Sequence, residues 1–303
     1  MDKSHLTIQD IKDSLSTVWI EEDGVDQNLL KESYEELNNY RISHAKRFLR
    51  SLELIRQWVP PERPLRILEV GSAPYFFTVL LAQYFDCEIV GVNIPATVWP
   101  GQEVDVSVPR EVVMRHQQDD QTLRFPIHIF NVEKDPFPFD SHTFDLVLSM
   151  EVIEHLAYSP THMLAESHRV LKPGGRLLLS TPNAVDMRRT LLMLLNRPCG
   201  FHYSGYSVYG RHNREFTLPE LSCFVENCGY KVLDSHLENI FLRPHYSWQK
   251  RFPFTLLNLL SGLPLPYLRN KREYMFIVAE ATGAPIWAYP ENLYIYPHLY
   301  KHL

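Results

Sequence analysis

Residues 65–81 read LRILEVGSAPYFFTVLL, an apolar run broken by a glycine turn and resumed with a different period. LRILEV, introduced by the Pro-rich break PPERP, has the length and composition of a buried strand. Beyond the turn, Phe77, Leu80, Leu81 and Tyr84 recur at helical spacing. Pro74 is expected in the first helical turn, where its missing N–H costs nothing. Gly71 lets the backbone bend sharply and approach a ligand closely. The helix start beyond it would offer N–H groups and a positive dipole end to a carboxylate or phosphate. A glycine after a strand is often only a turn, so this unit sets the fold and leaves its chemistry to the rest of the chain.

Working outward, strand and helix signals alternate. CEIVGVNI (87–94), IHIFNV (127–132), FDLVLSM (144–150) and GRLLLST (175–181) read as further strands. A helix through HMLAESHRVLK is expected to stop at Pro173-Gly174-Gly175. Apolar strands separated by helices give an α/β fold, a mostly parallel sheet with helices on both faces. A polar insert from Pro95 to about Phe125 reads as irregular, and residues 1–60 read as an N-terminal helical cap, through DIKDSLSTVWIEE and YRISHAKRFLRSLELIRQWV. Residues 61–303 are expected to form one domain, interrupted by a lid at about 183–214 and an apolar connection at about 240–270. The lid contains MRRTLLMLLNRP, an amphipathic helix candidate, and the Tyr- and Gly-rich CGFHYSGYSVYG. TLPELSCFVENCGY reads as a helix opened by Thr217, with Pro219 and Glu220 in its first turn. YKVLDSHLE and REYMFIVAEA supply two last strands before a tail containing IWAYPENLY.

Thirty Lys plus Arg against 36 Asp plus Glu give a formal net charge of −6 over 303 residues, which argues against a nucleic-acid partner. Cys87, Cys199, Cys223 and Cys228 form no CxxC pair, and the polar start MDKSHLTIQD is no signal peptide; both fit reduced thiols in a cytoplasmic setting. The longest apolar stretch, FPFTLLNLLSGLPLPYL (252–268), is interrupted by Pro253, Asn258, Gly262, Pro264 and Pro266 and cannot form one unbroken spanning helix. It is either a buried connection or a peripheral membrane contact.

Two segments carry a family resemblance: FNVEKDPFPFDSHTFDLVLSMEVIEHL (130–156) and HRVLKPGGRLLLSTPN (168–183). With the Gly71 turn and GVNI before them, the chain resembles the class I methyltransferases that use S-adenosylmethionine (SAM), over roughly residues 45–281. The resemblance implies a Rossmann-like, seven-stranded, mostly parallel sheet with one antiparallel strand near its end. By position it implies that Glu69, Gly71, Ser72 and Ala73 face the methionine part of SAM and that Asn93 binds the ribose hydroxyls. Asn131, Val132 and Glu133 would border the adenine, and Met150 and Glu151 the sulfonium side. Ala73 and Tyr75 stand where the family has later glycines, and Asn93 replaces its ribose-binding acid, removing a charge-assisted bond. With its NVE, EVIEHL and GRHNRE segments the chain is similar to methyltransferases of bacterial surface-polysaccharide and glycolipid gene clusters.

Glu151, Glu154 and His155 are spaced to share one face if a helix begins after LVLSM, and His212 follows in GRHNREFT. This ExxEH…H pattern is similar to that of metal-dependent O-methyltransferases, which implies Mg²⁺ or Mn²⁺ on Glu151, Glu154, His155 and His212. The alternative is that His155 or His212 acts as a metal-free general base, since a hydroxyl needs help to lose its proton. Phe201, Tyr203, Tyr206 and Tyr209 could stack on a sugar, and Arg188 and Arg189 could meet phosphates or a membrane. The resemblance thus implies SAM-dependent O-methylation of a sugar hydroxyl on a glycan or glycolipid intermediate. Small natural products with neighbouring hydroxyls, and a silent scaffold with this fold, are the alternatives. A nicotinamide-dependent reductase is disfavoured because the turn lacks G-x-G-x-x-G.

Overall fold

The computed structural model describes residues 6–16, 18–22, 34–60, 64–94, 109–116, 122–198, 210–242, 247–290 and 293. In chain order these form α1 (Ile8–Ser16), β1 (Val18–Glu22), α2 (Tyr34–Trp58), β2 (Leu65–Val70), α3 (Phe76–Tyr84), β3 (Cys87–Asn93), β4 (Arg110–His116) and β5 (Thr122–Ile129). They continue with β6 (Phe144–Met150), a 3₁₀ turn at Ile153–His155, α4 (Thr161–Val170), β7 (Leu171–Pro182), α5 (Met187–Leu194), α6 (Leu218–Asn227) and β8 (Tyr230–Glu238). α7 (Trp248–Gly262), α8 (Pro266–Arg269) and β9 (Tyr274–Ala281) complete the series.

The strands lie in one sheet in the order β1-β4-β5-β3-β2-β6-β7-β9-β8. β5, β3, β2, β6 and β7 pair in parallel. β9 runs antiparallel to both β7 and β8. That seven-strand series has the expected class I pattern, with the antiparallel strand next to last in space. The sheet itself has nine strands rather than seven, because β4 and β1 add an antiparallel pair beyond β5.

Alternation along β2 shows why the sheet is covered twice. Leu65 and Ile67 face a core shared with Phe48 and Leu52 of α2 and Phe77 and Leu80 of α3. Leu68 and Val70 face a second core shared with Met163 and Leu164 of α4 and Leu221 and Phe224 of α6. Central β6 is buried at every position, as a doubly covered strand must be. α6 begins as its sequence indicates, with a capping box between Thr217 and Glu220.

Several local expectations are corrected. TVWIEE contributes β1 instead of extending a helix, and the insert after Pro95 carries β4 and the first residues of β5. α3 starts at Phe76, with Pro74 outside it behind a cis Ala73–Pro74 bond. α4 stops at Val170, before Pro173. Much of FPFTLLNLLSGLPLPYL is helical after all: α7 runs through Pro253, losing a backbone bond near its N-terminal end, and ends at Gly262. Among the described residues no helix is long and apolar enough to cross a membrane. Phe201, Tyr203, Tyr206, Tyr209 and Cys199, with parts of the expected insert, lid and tail, lie outside the described residues.

Candidate functional site

The site is built where β2 and β3 end side by side. Gly71, at φ +72°, turns the chain so that its N–H donates to Val92 O at 2.7 Å, and Ser72 N–H donates to the same oxygen at 3.3 Å. An added Cβ at Gly71 would lie 2.4 Å from Val152 Cγ2, so the bend is also closely packed. Asn93 locks the turn from the next strand. Its Oδ1 accepts from Ser72 Oγ at 3.3 Å and Ala73 N at 3.1 Å, while its Nδ2 donates to Tyr75 OH at 3.1 Å. Tyr75 itself is at φ +65° and packs edge-on against Phe125, with ring centres 5.7 Å apart.

Beside this turn lies a cavity open to solvent, lined by Glu69, Gly71, Ser72, Ala73, Met150 and Glu151 together with Tyr40 and Arg47. Six of the ten residues expected at the cofactor therefore share one wall. Asn93, Asn131, Val132 and Glu133 are not among its lining residues. Glu133 instead accepts from Ala157 N at 3.1 Å and from Tyr158 N, holding the turn after the 3₁₀ segment. Val132 packs into the second core, and Asn131 Oδ1 accepts from Glu133 N at 3.0 Å.

Glu69 is fully buried, and burial lifts its carboxyl to about 7, against the pull of its Thr78 hydrogen bond (2.5 Å) and of Arg47. Arg47 is a cation in the core that the reading of α2 as a cap passed over. Its Nη2 donates to Tyr40 OH at 2.7 Å and its Nη1 to Tyr274 OH at 3.3 Å, with Glu151 Oε1 at 3.9 Å. The sequence signal was there: His44, Arg47 and Ser51 lie along the same buried stripe as Phe48, Leu52 and Ile55. Burial alone would depress Arg47, but Tyr40, Tyr274 and Glu151 outweigh it and hold the guanidinium above its ordinary value.

Glu151 does not join a helical face. It sits at φ +60°, donates its N–H to Ser180 O at 2.9 Å, and accepts from Tyr274 OH through its carboxylate. It also lines a second, larger cavity open to solvent between α5 and α7, with Asp186, Arg188, His212, Phe254 and Lys271 on its walls. Glu151 is thus common to both cavities.

Glu154, His155 and His212 do come together, with one possible ligand atom from each lying within 4.8 Å of the others. Glu151 is not in this group, because a 3₁₀ turn replaces the helix that would have aligned it. The GRHNRE segment is clamped to that turn: Asn213 N and Arg214 N donate to Glu154 O at 2.7 and 3.2 Å, and Asn213 Nδ2 donates to His155 O at 2.8 Å. Glu154 Oε2 accepts from Thr181 Oγ1 at 2.8 Å, whereas buried Oε1 has no hydrogen-bond partner among the described residues. Burial, then repulsion from Glu151, raises Glu154 to about 8. His212 Nδ1 lies 2.7 Å from Glu215 Oε1, which Arg189 Nη2 also reaches at 2.7 Å. A carboxylate only accepts, so Nδ1 carries the proton and Nε2 keeps its lone pair. Burial, reinforced by His155 and Arg189, lowers His212 to about 4, so it is neutral at pH 7.

In a doubly wound sheet, a cavity beyond the carboxyl ends of the central strands is where a ligand binds. The chain belongs to the methyltransferase-domain family, whose model matches residues 40–235. The fold is that of the Rossmann-like class I methyltransferases, and S-adenosylmethionine is the methyl donor that the family implies. Over 98 residues the chain is 32% identical to a probable S-adenosylmethionine-dependent methyltransferase of Mycolicibacterium smegmatis, covering 32% of this chain and 33% of that protein. Over 103 residues it is 33% identical to a tRNA U34 carboxymethyltransferase of Hydrogenovibrio crunogenus, covering 33% of this chain and 27% of that protein. The chain therefore matches about a third or less of the length of these relatives. Among solved structures, a Haloferax volcanii complex of the Trm112 methyltransferase activator and a putative methyltransferase aligns at TM-score 0.49 and 13% identity, over 83% of this chain and 97% of that one. A putative sarcosine dimethylglycine methyltransferase from Galdieria sulphuraria aligns at TM-score 0.46 and 14% identity, over 81% and 88%.

Proposed function

We propose that this methyltransferase O-methylates a sugar hydroxyl of a glycan or glycolipid intermediate, bound in the cavity between α5 and α7. The observation that carries the reading is the shared Glu151 wall: a donor in the cradle and an acceptor in the second cavity would meet there. The cradle suits the amino-acid end of SAM. Arg47 offers a cation for its carboxylate, Glu69 an acceptor for its ammonium, and the Gly71 turn a close backbone approach. Asn93 would reach a ribose only by exchanging its bond to Tyr75. Asp186, Arg188, Lys271 and Glu273 give the second cavity the mixed polar lining that a polyhydroxylated acceptor needs.

SAM supplies an electrophilic methyl group on a sulfonium sulfur. The acceptor oxygen forms a bond to that carbon as the S–C bond breaks, leaving S-adenosylhomocysteine, and the hydroxyl proton passes to a base. His212 lines the acceptor cavity with a neutral ring held by Glu215, and its Nε2 lone pair would take that proton, although burial makes it a weaker base than an ordinary imidazole. The protein's remaining task is alignment and exclusion of water.

The Glu154–His155–His212 group is also suited to a divalent ion. Glu154 Oε1 is a buried oxygen that lacks a partner among the described residues, and the His212–Glu215 pair is the usual support behind a ligating imidazole. With Glu151 committed to Tyr274 and Arg47, one carboxylate and two imidazoles fit Mn²⁺ better than Mg²⁺. The ion would bring a hydroxyl's pKa down beside the methyl donor.

The test is S-adenosylhomocysteine release against nucleotide sugars, lipid-linked sugars and small vicinal diols, with EDTA or Mn²⁺ added. Turnover with a sugar acceptor supports the reading; turnover confined to the small diols replaces it. If SAM shows no binding heat, the scaffold reading takes over. Mn²⁺ binding measured by its own electron-spin signal should vanish in Glu154→Ala and His212→Ala. Full activity in EDTA with no Mn²⁺ signal leaves His212 as a metal-free base.

A further inference from the structure

The apolar surface of this protein is concentrated in one place. Of the fifteen large hydrophobic side chains that are exposed among the described residues, twelve lie at 191–195 or 248–267, in α5, α7, α8 and their ends. The exposed large hydrophobic side chains of α7 are Trp248, Phe252, Leu256, Leu259 and Leu260, and Trp248, Phe252, Leu256 and Leu259 fall on one stripe that Leu263, just past the helix end, continues. Leu259 is 66% exposed and Trp248 74%. The opposite side of the same helix is committed to the protein: Phe254, Leu257 and Asn258 line the acceptor cavity, and buried Ser261 Oγ accepts from Asn239 Nδ2 at 2.8 Å. α7 is thus apolar outward as well as inward, which a helix with only water outside has no reason to be.

α5 lies alongside it. The Arg188 guanidinium sits 5.9 Å over the Phe254 ring, and Met187 N donates to Lys271 O at 2.8 Å. Leu194, 79% exposed, extends the apolar surface, and Tyr267, 68% exposed, adds an amphipathic ring near the C-terminal end of α7. Charge selects what such a face would meet. Segments 187–198 and 247–272 together carry eight Lys or Arg and no Asp or Glu, in a chain whose formal net charge is −6. Arg189 is held by Asp186 and Glu215, but an apolar stripe on segments otherwise rich in cations, with amphipathic aromatics beside it, is complementary to an anionic lipid surface, where the stripe enters the headgroup boundary and cations meet phosphates.

We infer that α5, α7 and α8 form a platform that docks this enzyme peripherally on anionic bilayers. Two of the helices that would touch lipid, α5 and α7, also wall the acceptor cavity, so an acceptor anchored in the membrane would arrive beside its site. Docking itself does not depend on what the acceptor is, and it is read without turnover.

The experiment is co-sedimentation of the full chain with vesicles of phosphatidylcholine alone and of phosphatidylcholine with phosphatidylglycerol. S-adenosylhomocysteine binding and a melting curve confirm that each variant is folded. Binding is expected to the anionic vesicles only and to weaken with salt. Phe252→Glu with Leu259→Glu should abolish it, and the milder Leu259→Ser, which keeps the charge, should lower it. Arg197→Ala and Arg269→Ala should each reduce partitioning by about fivefold, the equivalent of roughly 1 kcal/mol per cation. No sedimentation with either vesicle overturns the inference, as does equal binding by the stripe variants or equal binding to neutral lipid. A dimer that Leu259→Ser dissociates, with no vesicle binding, would overturn it in favour of a second copy of the chain.

Discussion

Substituting Gly71 by alanine separates two demands that the cofactor turn makes on its sequence. At φ +72° a Cβ is strained, at a cost of about 1–2 kcal/mol. The same Cβ would stand 2.4 Å from Val152 Cγ2, and forcing a methyl into a packed contact adds about 1–3 kcal/mol. The total, roughly 2–5 kcal/mol, corresponds to a melting point lower by about 3–8 °C in a chain of this size. Val152 Cβ, by contrast, lies 3.7 Å from the new atom, an ordinary contact. Val152→Ala should therefore relieve the second cost and leave the first, so the double-mutant cycle should show a favourable coupling of about 1–3 kcal/mol. Thermal melts of the four proteins measure this, and calorimetric titration with S-adenosylhomocysteine reports the cradle. The expected titration shows binding lost in Gly71→Ala and partly regained in the double variant. A Gly71→Ala protein that melts and binds like the parent, or a Val152→Ala background without relief, would refute the account of the turn.

Three other substitutions probe the same cavity. Tyr75→Phe frees Asn93 Nδ2 for a ribose hydroxyl and should tighten S-adenosylhomocysteine binding by about fivefold, the worth of one hydrogen bond; unchanged or weaker binding would remove Asn93 from the ribose site. Arg47→Met removes the donor to Tyr40 and Tyr274 and the cation beside half-buried Glu151, and should cost about 1–3 kcal/mol of stability and weaken cofactor binding at least about tenfold; intact binding would place the SAM carboxylate elsewhere. Glu69 prefers its neutral form in the fold, at about 7 against an ordinary 4.5. Its contribution to the stability of the cofactor-free protein is present below pH 4.5 and lost as pH rises through 7. Relative to the parent, Glu69→Gln should gain melting temperature between those limits, and melting curves that stay parallel across the window would contradict the assignment.

How much of this was legible follows from which forces are local. The alternation from LRILEV to GRLLLST makes a doubly covered parallel sheet legible, because its central strands β2 and β6 are apolar on both faces. β1 and β4 escaped notice because they pair only with each other and with β5. An edge ribbon needs no continuous apolar run, and WIEE and REVVMRH interleave charges with apolar residues. The cradle residues Glu69, Gly71, Ser72, Ala73, Met150 and Glu151 were readable because they follow consecutive strand ends. Arg47, Tyr40 and Tyr274 were not, since their meeting with Glu151 joins α2 to β9 across more than two hundred residues. The expected ExxEH face assumed an α-helix; the 3₁₀ turn at Ile153–His155 keeps Glu154 and His155 with His212 but sends Glu151 to the other cavity wall. Asn93 ends β3 but does not line the cavity, because its side chain is bonded to Ser72, Ala73 and Tyr75.

The most direct test is the crystal structure of the protein with S-adenosylhomocysteine. The homocysteine carboxylate should meet Arg47, its ammonium Glu69, and its sulfur should point past Glu151 into the cavity between α5 and α7. Ligand bound away from the Gly71 turn, or a sulfur directed away from that second cavity, would contradict the account.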